Sequence, residues 1–505
     1  MGDTTMAKIE TLIFLVIIVL VALLISLRAL RRSRTSSGYF VADGGFTAGQ
    51  NGMAIAGDFL SAAAFLGIAG ATALHGLSGF YLAISVPTTF VLVTLIIAEP
   101  LRALGRYTLS DVLAARFDDR KLRALAAINA LTISSLFMIA QFVGAGLVLH
   151  LLLHISYPLS LLSVGTLMII YVSTGGMLAV TWIQIFKTSL LLIAGILLFL
   201  LTLSHFNWNP SNVLSAAIAI MGPSANLPPH PDSFLKSLDY VSLNFGVALG
   251  TVGLPHVLVR FLTVRNTQAA RASALTASWI IAVFLLLIAV IGLGAAALLG
   301  TDAIRTANPA GTLATPMLAH FVGGPLLFAF VSAVVFATSI AVIAGVAISA
   351  SATFVLDLYA NILRRDAGEH ERMVAGRLAT IGVCMVALLI ALGSAHLNLA
   401  LIGVLAFTVA ASGNVPVLLL TLFWRNFNSM GAVFGMVGGF IASVGLVLIG
   451  PTICGQAALF PLANVGLASI PFGFLSAFVG TWLSRRDPEA QARFDAIMAK
   501  ISLTS

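Results

Sequence analysis

Charge is scarce in this chain: 9% of its 505 residues are Asp, Glu, Lys or Arg. A soluble globular domain carries roughly 25%, so a water-exposed enzyme or binding domain is excluded. Cysteine is nearly missing as well. Cys384 and Cys454 sit in separate apolar segments, which leaves neither a disulfide framework nor a metal-ligand spacing. No Gly-x-x-x-x-Gly-Lys-Ser/Thr loop occurs, so a nucleotide phosphate has no cradle from which to drive pumping. An integral-membrane enzyme needs paired acids, a histidine ligand set or a nucleophile with its base at membrane depth. A channel more often shows a repeated filter or a charged ring. Neither pattern is visible, and both readings stay behind a secondary transporter as alternatives.

What is abundant is apolar sequence, 59% of the residues, with a mean hydropathy of +1.06. The apolar runs reach the length of about 20 residues that crosses a bilayer and give about thirteen spans. They centre on 11–27, 46–74, 79–99, 124–150, 157–175, 178–203, 237–258, 274–299, 323–353, 374–394, 398–421, 430–450 and 464–483. The first reads as a retained span, not a signal peptide. Asp3 and Glu10 accompany Lys8, no small-x-small cleavage site follows, and Arg31, Arg32 and Arg34 come next.

Alternating the spans puts nearly all of the 26 Lys and Arg on one side, in 28–40, 100–123, 259–273, 354–373, 422–429 and the C-terminal segment. The other side holds Lys8, Lys236 and Arg305. The basic side is then cytoplasmic, with the N-terminus outside and the C-terminus inside. The net charge of +8 and pI of 9.9 are therefore topogenic. No nucleic-acid partner is implied, and the runs Arg28–Arg34 and Arg116–Arg123 read as lipid-headgroup contacts.

Two spans look broken. The first, 46–74, holds Gly52, Gly57, Gly67 and Gly70 around Asp58 and Ser61; the second, 237–258, holds Gly246, Gly250 and Gly253 before Pro255. Five spans separate their starts, so the second runs opposite to the first, the pattern of a five-plus-five inverted repeat. The expected fold is all-α and integral to the membrane. An extra N-terminal helix and cytoplasmic loop cover 1–45 and the first repeat 46–203. An extracellular loop, 204–236, leads to the inverted second repeat, 237–421; two further helices and a tail fill 422–505. The plainer alternative is that glycine simply lets membrane helices pack closely.

Asp58 is the one carboxylate near the middle of a span. A charge there costs at least about 2.5–3.5 kcal/mol, which marks it as functional unless it is a hydrogen-bonded structural acid. Replacing it is expected to stop turnover without unfolding the chain. Lys187 is the one base inside a span, about a turn from Trp182. A lysine withdrawn from water can exchange its proton; alternatively it snorkels to the interface. His150 and His154 have the i, i+4 spacing of metal ligands, yet no third ligand joins them, and no metal or cofactor is expected.

The stretch Gly175-Gly176-Met177-Leu178-Ala179-Val180-Thr181-Trp182 resembles the Gly-Gly…Ala-Val motif of sodium:solute symporters. Pro255-His256…Arg260-Phe261 is similar to their cytoplasmic Pro-His…Arg-Phe loop, and Pro416…Trp424-Arg425…Gly431-Ala432…Gly435 to their late signature. Three further segments resemble the bacterial cation/acetate subgroup: Ala42-Asp43-Gly44-Gly45…Asn51-Gly52…Ala54-Ile55-Ala56-Gly57-Asp58, Gly105-Arg106-Tyr107-Thr108, and Ala140-Gln141…Gly144-Ala145-Gly146. The likeness runs from about residue 38 to 440. It implies the inverted-repeat fold of amino-acid and sugar symporters. It also implies a multi-pass protein of the bacterial cytoplasmic membrane that imports acetate or a similar short monocarboxylate with a cation, Na⁺ or H⁺. Another small solute of the same family is the alternative. Beyond the solute and the bilayer no obligatory partner is inferred.

The resemblance also assigns residues. Sodium-coupled members carry Thr-Asp where this chain has Ile183-Gln184, and Gln where it has Lys187. Their hydroxyl pair on the helix resembling 323–353 falls at Ala341 and Val342, which offer no oxygen, facing carbonyls of Gly57 and Leu60. Na⁺ wants several oxygens, as hard cations do, so the usual sodium site is depleted. By analogy with proton-coupled relatives of the broad fold, the Lys187 ammonium is expected to occupy it. Ser61, Phe65, Gln141, Thr251, Ser412 and Asn414 lie on spans that surround the solute in the family fold. Val247 and Thr251 replace the larger side chains of proline and sugar symporters and suit a small, partly apolar anion. Each of these six, taken alone, reads more readily as packing than as a ligand.

Overall fold

The structure, a computed structural model, describes residues 2–30, 35–105, 107–153, 155–226, 233–393 and 399–504. His154, Arg106 and Arg31–Arg34 lie outside the described residues. Among those described, the architecture is helical, with one isolated bridge between Phe46 and Val264. Ten helices are long and apolar enough to cross a membrane, or eleven if one bent pair is a single span.

Helix α1 (Gly2–Leu30) is followed by the short α2 (Ser36–Val41). Helix α3 (Ala48–Phe59) starts in a capping box of Thr47 and Gln50 and stops at Leu60, whose ψ of 78° is not helical. The chain resumes through a π-helical turn (Ala63–Ile68) into α4 (Ala69–His75), at 60° to α3. Helices α5 (Leu77–Leu92) and α6 (Ala98–Leu104) form one span; α7 (Leu109–Phe117) is short, and α8 (Arg120–Leu153) long. The expected spans 157–175 and 178–203 form α9 (Tyr157–Ser204), bent at Gly176, where φ 58° and ψ −159° suit only glycine. Then come α10 (Pro210–Met221) and α11 (Phe234–Gly253). Pro255 holds Leu254 extended and opens α12 (Pro255–Arg260), so this helix too is interrupted.

Helices α13 (Thr267–Leu299) and α14 (Thr301–Ala307) precede α15 (Ala314–Ala352), which bends at Gly324 before Pro325 and runs on as a π-helix to Leu363. Next are α16 (Glu369–Gly393) and α17 (Leu399–Val409), the latter passing through a π-turn (Ala410–Asn414) into α18 (Val415–Phe423). The chain ends with α19 (Ser429–Leu448), α20 (Pro451–Cys454), α21 (Gly466–Leu483) and α22 (Pro488–Thr504).

Helix α15 is the axis of the molecule, with 78% of its apolar window buried against 22% for α1. It packs on α1, α8 and α9. Large apolar side chains such as Leu95, Trp279, Leu286, Leu389 and Trp482 remain exposed, a surface that lipid covers without cost. Helix contact depends instead on small residues. A side chain at Gly439 or Gly473 would strike the Ser412 carbonyl, which α19 and α21 clasp from two directions.

Two charges counted above as topogenic are internal. Arg116 is fully buried and donates to the carbonyls of Leu420, Thr421, Trp424, Arg425 and Phe427 at 2.6–3.3 Å. Leu420 and Thr421 lie in the last turn of α18 and Trp424, Arg425 and Phe427 in the turn beyond it, so Arg116 closes a helix end and is not a headgroup contact. Arg260 is the second.

Candidate functional site

The end of α3 carries the chemistry. Asp58 is 4% exposed, and the helix stops two residues later. Its Oδ2 accepts from Arg260 Nε at 2.5 Å; its Oδ1 accepts from Arg260 Nη2 at 3.2 Å and Gln184 Nε2 at 2.5 Å. Arg260 Nη1 donates to Thr181 Oγ1 at 2.7 Å. Asn51 Nδ2 donates to the Arg260 carbonyl, and Thr263 Oγ1 to Asn51 Oδ1. One acid on the first interrupted helix is thus held by a bidentate guanidinium on the second, a strong and directional pairing. Gly345 of α15 faces it: a Cβ there would lie 2.8 Å from Asp58 Oδ1 and 3.6 Å from Arg260 Nη2 and Gln184 Nε2.

Arg260 was not among the expected site residues. It ends α12 at the edge of a basic loop, where counting charges assigns it to the cytoplasm. The available signal was Asp58 itself, since a buried charge requires a partner. Against the expectation that Asp58 can be replaced without harm to folding, the pairing predicts a cost. Removing one member of a buried ion pair costs about 3–5 kcal/mol, because the other charge is left uncompensated.

Lys187, one turn beyond Gln184 on α9, is 1% exposed and turned inward, so it does not snorkel. Its ammonium donates to the carbonyls of Leu60 at 3.3 Å and Thr338 at 3.4 Å. Leu60 has that carbonyl to offer because α3 has just ended. Gln184 Nε2 also donates to the Ala341 carbonyl at 2.9 Å. Ala341 and Val342 are buried and contribute no side-chain oxygen. Gly57 allows α3 to lie directly on α9, where an added Cβ would meet Thr188 Oγ1 and Gln184 Oε1. Beside Lys187 is a pocket of about 20 Å³ lined by Ile18, Ala22, Phe186 and Ala344, enough for one water. Gly57, Asp58, Leu60, Gln184, Lys187 and Ala341 therefore meet in one place.

The six expected solute residues are more dispersed. Ser61 Oγ accepts from Ala64 N where the first helix restarts, and Phe65 packs on Phe284 with ring centroids 5.5 Å apart. Thr251 Oγ1 bonds back to the Val247 carbonyl. Asn414 accepts from Asn129 and donates to the Gly253 carbonyl at 2.8 Å, tying the π-turn to the break in α11–α12. Ser412 donates to Ser469 of α21. Gln141 is half-buried on α8. His150 Nδ1 lies 2.5 Å from the Ile155 carbonyl. Groups of three metal-ligating side chains are not found among the described residues.

The family model described as "Sodium:solute symporter family" matches residues 39–439. The "uncharacterized symporter YwcA" of Bacillus subtilis is 43% identical over 498 residues, covering 97% of each chain. A "monocarboxylic acid transporter" of Corynebacterium glutamicum is 36% identical over 491 residues, 92% of this chain and 89% of that protein. In fold, the chain is similar to a substrate-bound, outward-open Na⁺-coupled sialic acid symporter, with a TM-score of 0.74 at 17% identity over 94% of this chain and 98% of that one. It is also similar to closed Mhp1, a nucleobase-cation-symport-1 family transporter, with a TM-score of 0.55 at 15% identity over 90% and 98%. The chain belongs to the sodium:solute symporter family and is an integral-membrane solute symporter, not an enzyme.

Proposed function

We propose that this protein imports acetate or a similar short monocarboxylate, coupled to a cation at the Lys187 locus, and that the cation is H⁺. The observation that carries the coupling is the Lys187 ammonium on the Leu60 and Thr338 carbonyls. A protonated lysine there ties the break in α3–α4 to α15 and α9; loss of the proton weakens that tie, which links protonation to opening. A Na⁺ ion would have to displace this ammonium and then find carbonyls alone. The substrate class is supported by the Corynebacterium glutamicum relative and by the small side chains at Val247 and Thr251.

In this reading the chain has thirteen spans in the bacterial cytoplasmic membrane, N-terminus outside and C-terminus inside. Repeats 46–203 and 237–421 rock about the site, and α1 covers its back. Ser61, Phe65, Gln141, Thr251, Ser412 and Asn414 bound the solute chamber. The bilayer and the solute are its partners.

Purified protein in proteoliposomes tests this by counterflow. Labelled acetate should exchange against unlabelled acetate, propionate or pyruvate and not against proline or glucose. Counterflow that saturates with proline and ignores acetate would contradict the proposal.

A further inference from the structure

We infer that Arg260 and Gln184 form a carboxylate receptor on the solute's path, that Asp58 occupies it as a tethered stand-in, and that the transported monocarboxylate displaces Asp58 in transit. The inference rests on the proposed substrate class. Beyond its Cα, the Asp58 side chain is a methylene and a carboxylate, which is acetate on a tether. Its two oxygens engage two guanidinium nitrogens and one amide nitrogen, all nearly inaccessible to solvent. The same three donors would hold a free carboxylate equally well.

The receptor is built to survive the departure of Asp58. Thr181 of α9 fixes the outer nitrogen of Arg260 and the Ala341 carbonyl of α15 holds Gln184 Nε2, so neither anchor moves with α3. Asp58, by contrast, sits two residues from the end of α3. A modest rotation of α3 withdraws its carboxylate while the donors stay in place. Gly345 lets the backbone of α15 lie directly against the cluster, where an added Cβ would be 2.8 Å from Asp58 Oδ1. Two buried polar atoms there lack a partner among the described residues, Gln184 Oε1 and His256 Nδ1. His256 precedes Arg260 by one turn of α12, and its ring rests 4.9 Å from that of Phe137, an apolar wall for the solute's alkyl end.

Charge balance points the same way. The ionisable groups of the cluster are Asp58 on α3, Lys187 on α9, and His256 and Arg260 on α12. Helices α1 and α15 present apolar side chains to Lys187, among them Ile18, Ala22, Ile340 and Ala344. With the Lys187 ammonium of the proposed coupling and the Arg260 guanidinium, two cations face the one carboxylate. One monocarboxylate restores neutrality: it pairs with Arg260, and the released Asp58 is left to Lys187.

The test is binding by the purified full-length chain with the tether removed. Asp58→Gly should be stabilised against heat by acetate or formate, relative to equal chloride or acetamide, and should bind acetate at least about tenfold more tightly than the wild type. The effect should vanish in Asp58→Gly with Arg260→Gln. Absence of an acetate-specific shift, or its persistence in the double variant, would overturn the receptor. Should Asp58→Gly fail to fold, Arg260→Lys, which keeps the charge and loses the fork, should raise the KM for acetate uptake about tenfold with little change in kcat; an unchanged KM overturns the inference. A wild type that moves no acetate beside an Asp58→Gly that acetate stabilises would defeat the proposed function and leave the receptor standing.

Discussion

The buried pair of Asp58 and Arg260 makes a quantitative demand on stability. Asp58→Asn leaves the guanidinium uncompensated, with only Thr181 and Met177 for its outer nitrogen. Arg260→Gln leaves the carboxylate with Gln184 alone. Each single change should cost about 3–5 kcal/mol. The double variant removes both charges and keeps polar groups that can bond across the gap, so it should cost less than the sum of the singles by at least about 1.5 kcal/mol. The assay is a double-mutant cycle by SDS titration of the purified proteins, followed by far-ultraviolet circular dichroism. Single variants whose costs add to within about 0.5 kcal/mol would show that the pair is not energetically coupled and refute the reasoning.

Gly345→Ala should weaken the fold by about 1–3 kcal/mol and reduce uptake, because its Cβ meets Asp58, Arg260 and Gln184 at once; thermal unfolding beside Gly382→Ala, which meets nothing within 4 Å, checks this. Arg116→Ala should expose the end of α18 to proteolysis near Trp424 and Arg425, since several carbonyls lose their donor at about 1–3 kcal/mol for each group left buried; limited trypsin digestion reads it. Helix α22 is held in part by Arg425 and Asp495, whose hydrogen bonds keep the Asp495 carboxyl below its ordinary range and raise Arg425. A depressed carboxylate contributes above its unfolded value and loses that contribution as pH falls through the folded one. Protection from hydrogen exchange in α22, measured relative to the intrinsic rate at each pH, should therefore be steady from neutrality to about pH 5 and fall only below about pH 4. That protection should also fall with salt.

The all-helical, many-span architecture was legible because a bilayer imposes length and apolarity on each span, and glycine and proline mark where helices stop. The breaks at Gly57–Leu60 and Gly253–Pro255 followed from that rule, as did the junction near Gly176. The π-turns at Ala63–Ile68 and Ala410–Asn414 leave no comparable mark, since an extra residue in a turn does not disturb an apolar run. Arg260 and Arg116 were misassigned for one physical reason. Local sequence reports that an arginine ends an apolar segment, and not whether the chain then folds back over it. Lys187 and Asp58 stood out because an isolated charge at membrane depth has no ordinary explanation. The pairing of Asn414 with Asn129 was invisible, because neither residue is unusual in its own helix.

The coupling claim is tested most directly by acetate uptake into Na⁺-free proteoliposomes under an inward proton gradient, comparing wild type with Lys187→Ala. Protein-free vesicles give the baseline, because undissociated acetic acid crosses lipid unaided. The wild type should accumulate acetate above that baseline at a rate unaffected by added Na⁺, while Lys187→Ala should retain counterflow and lose gradient-driven accumulation. Uptake that requires Na⁺, with Lys187→Ala still concentrating acetate, would contradict the account.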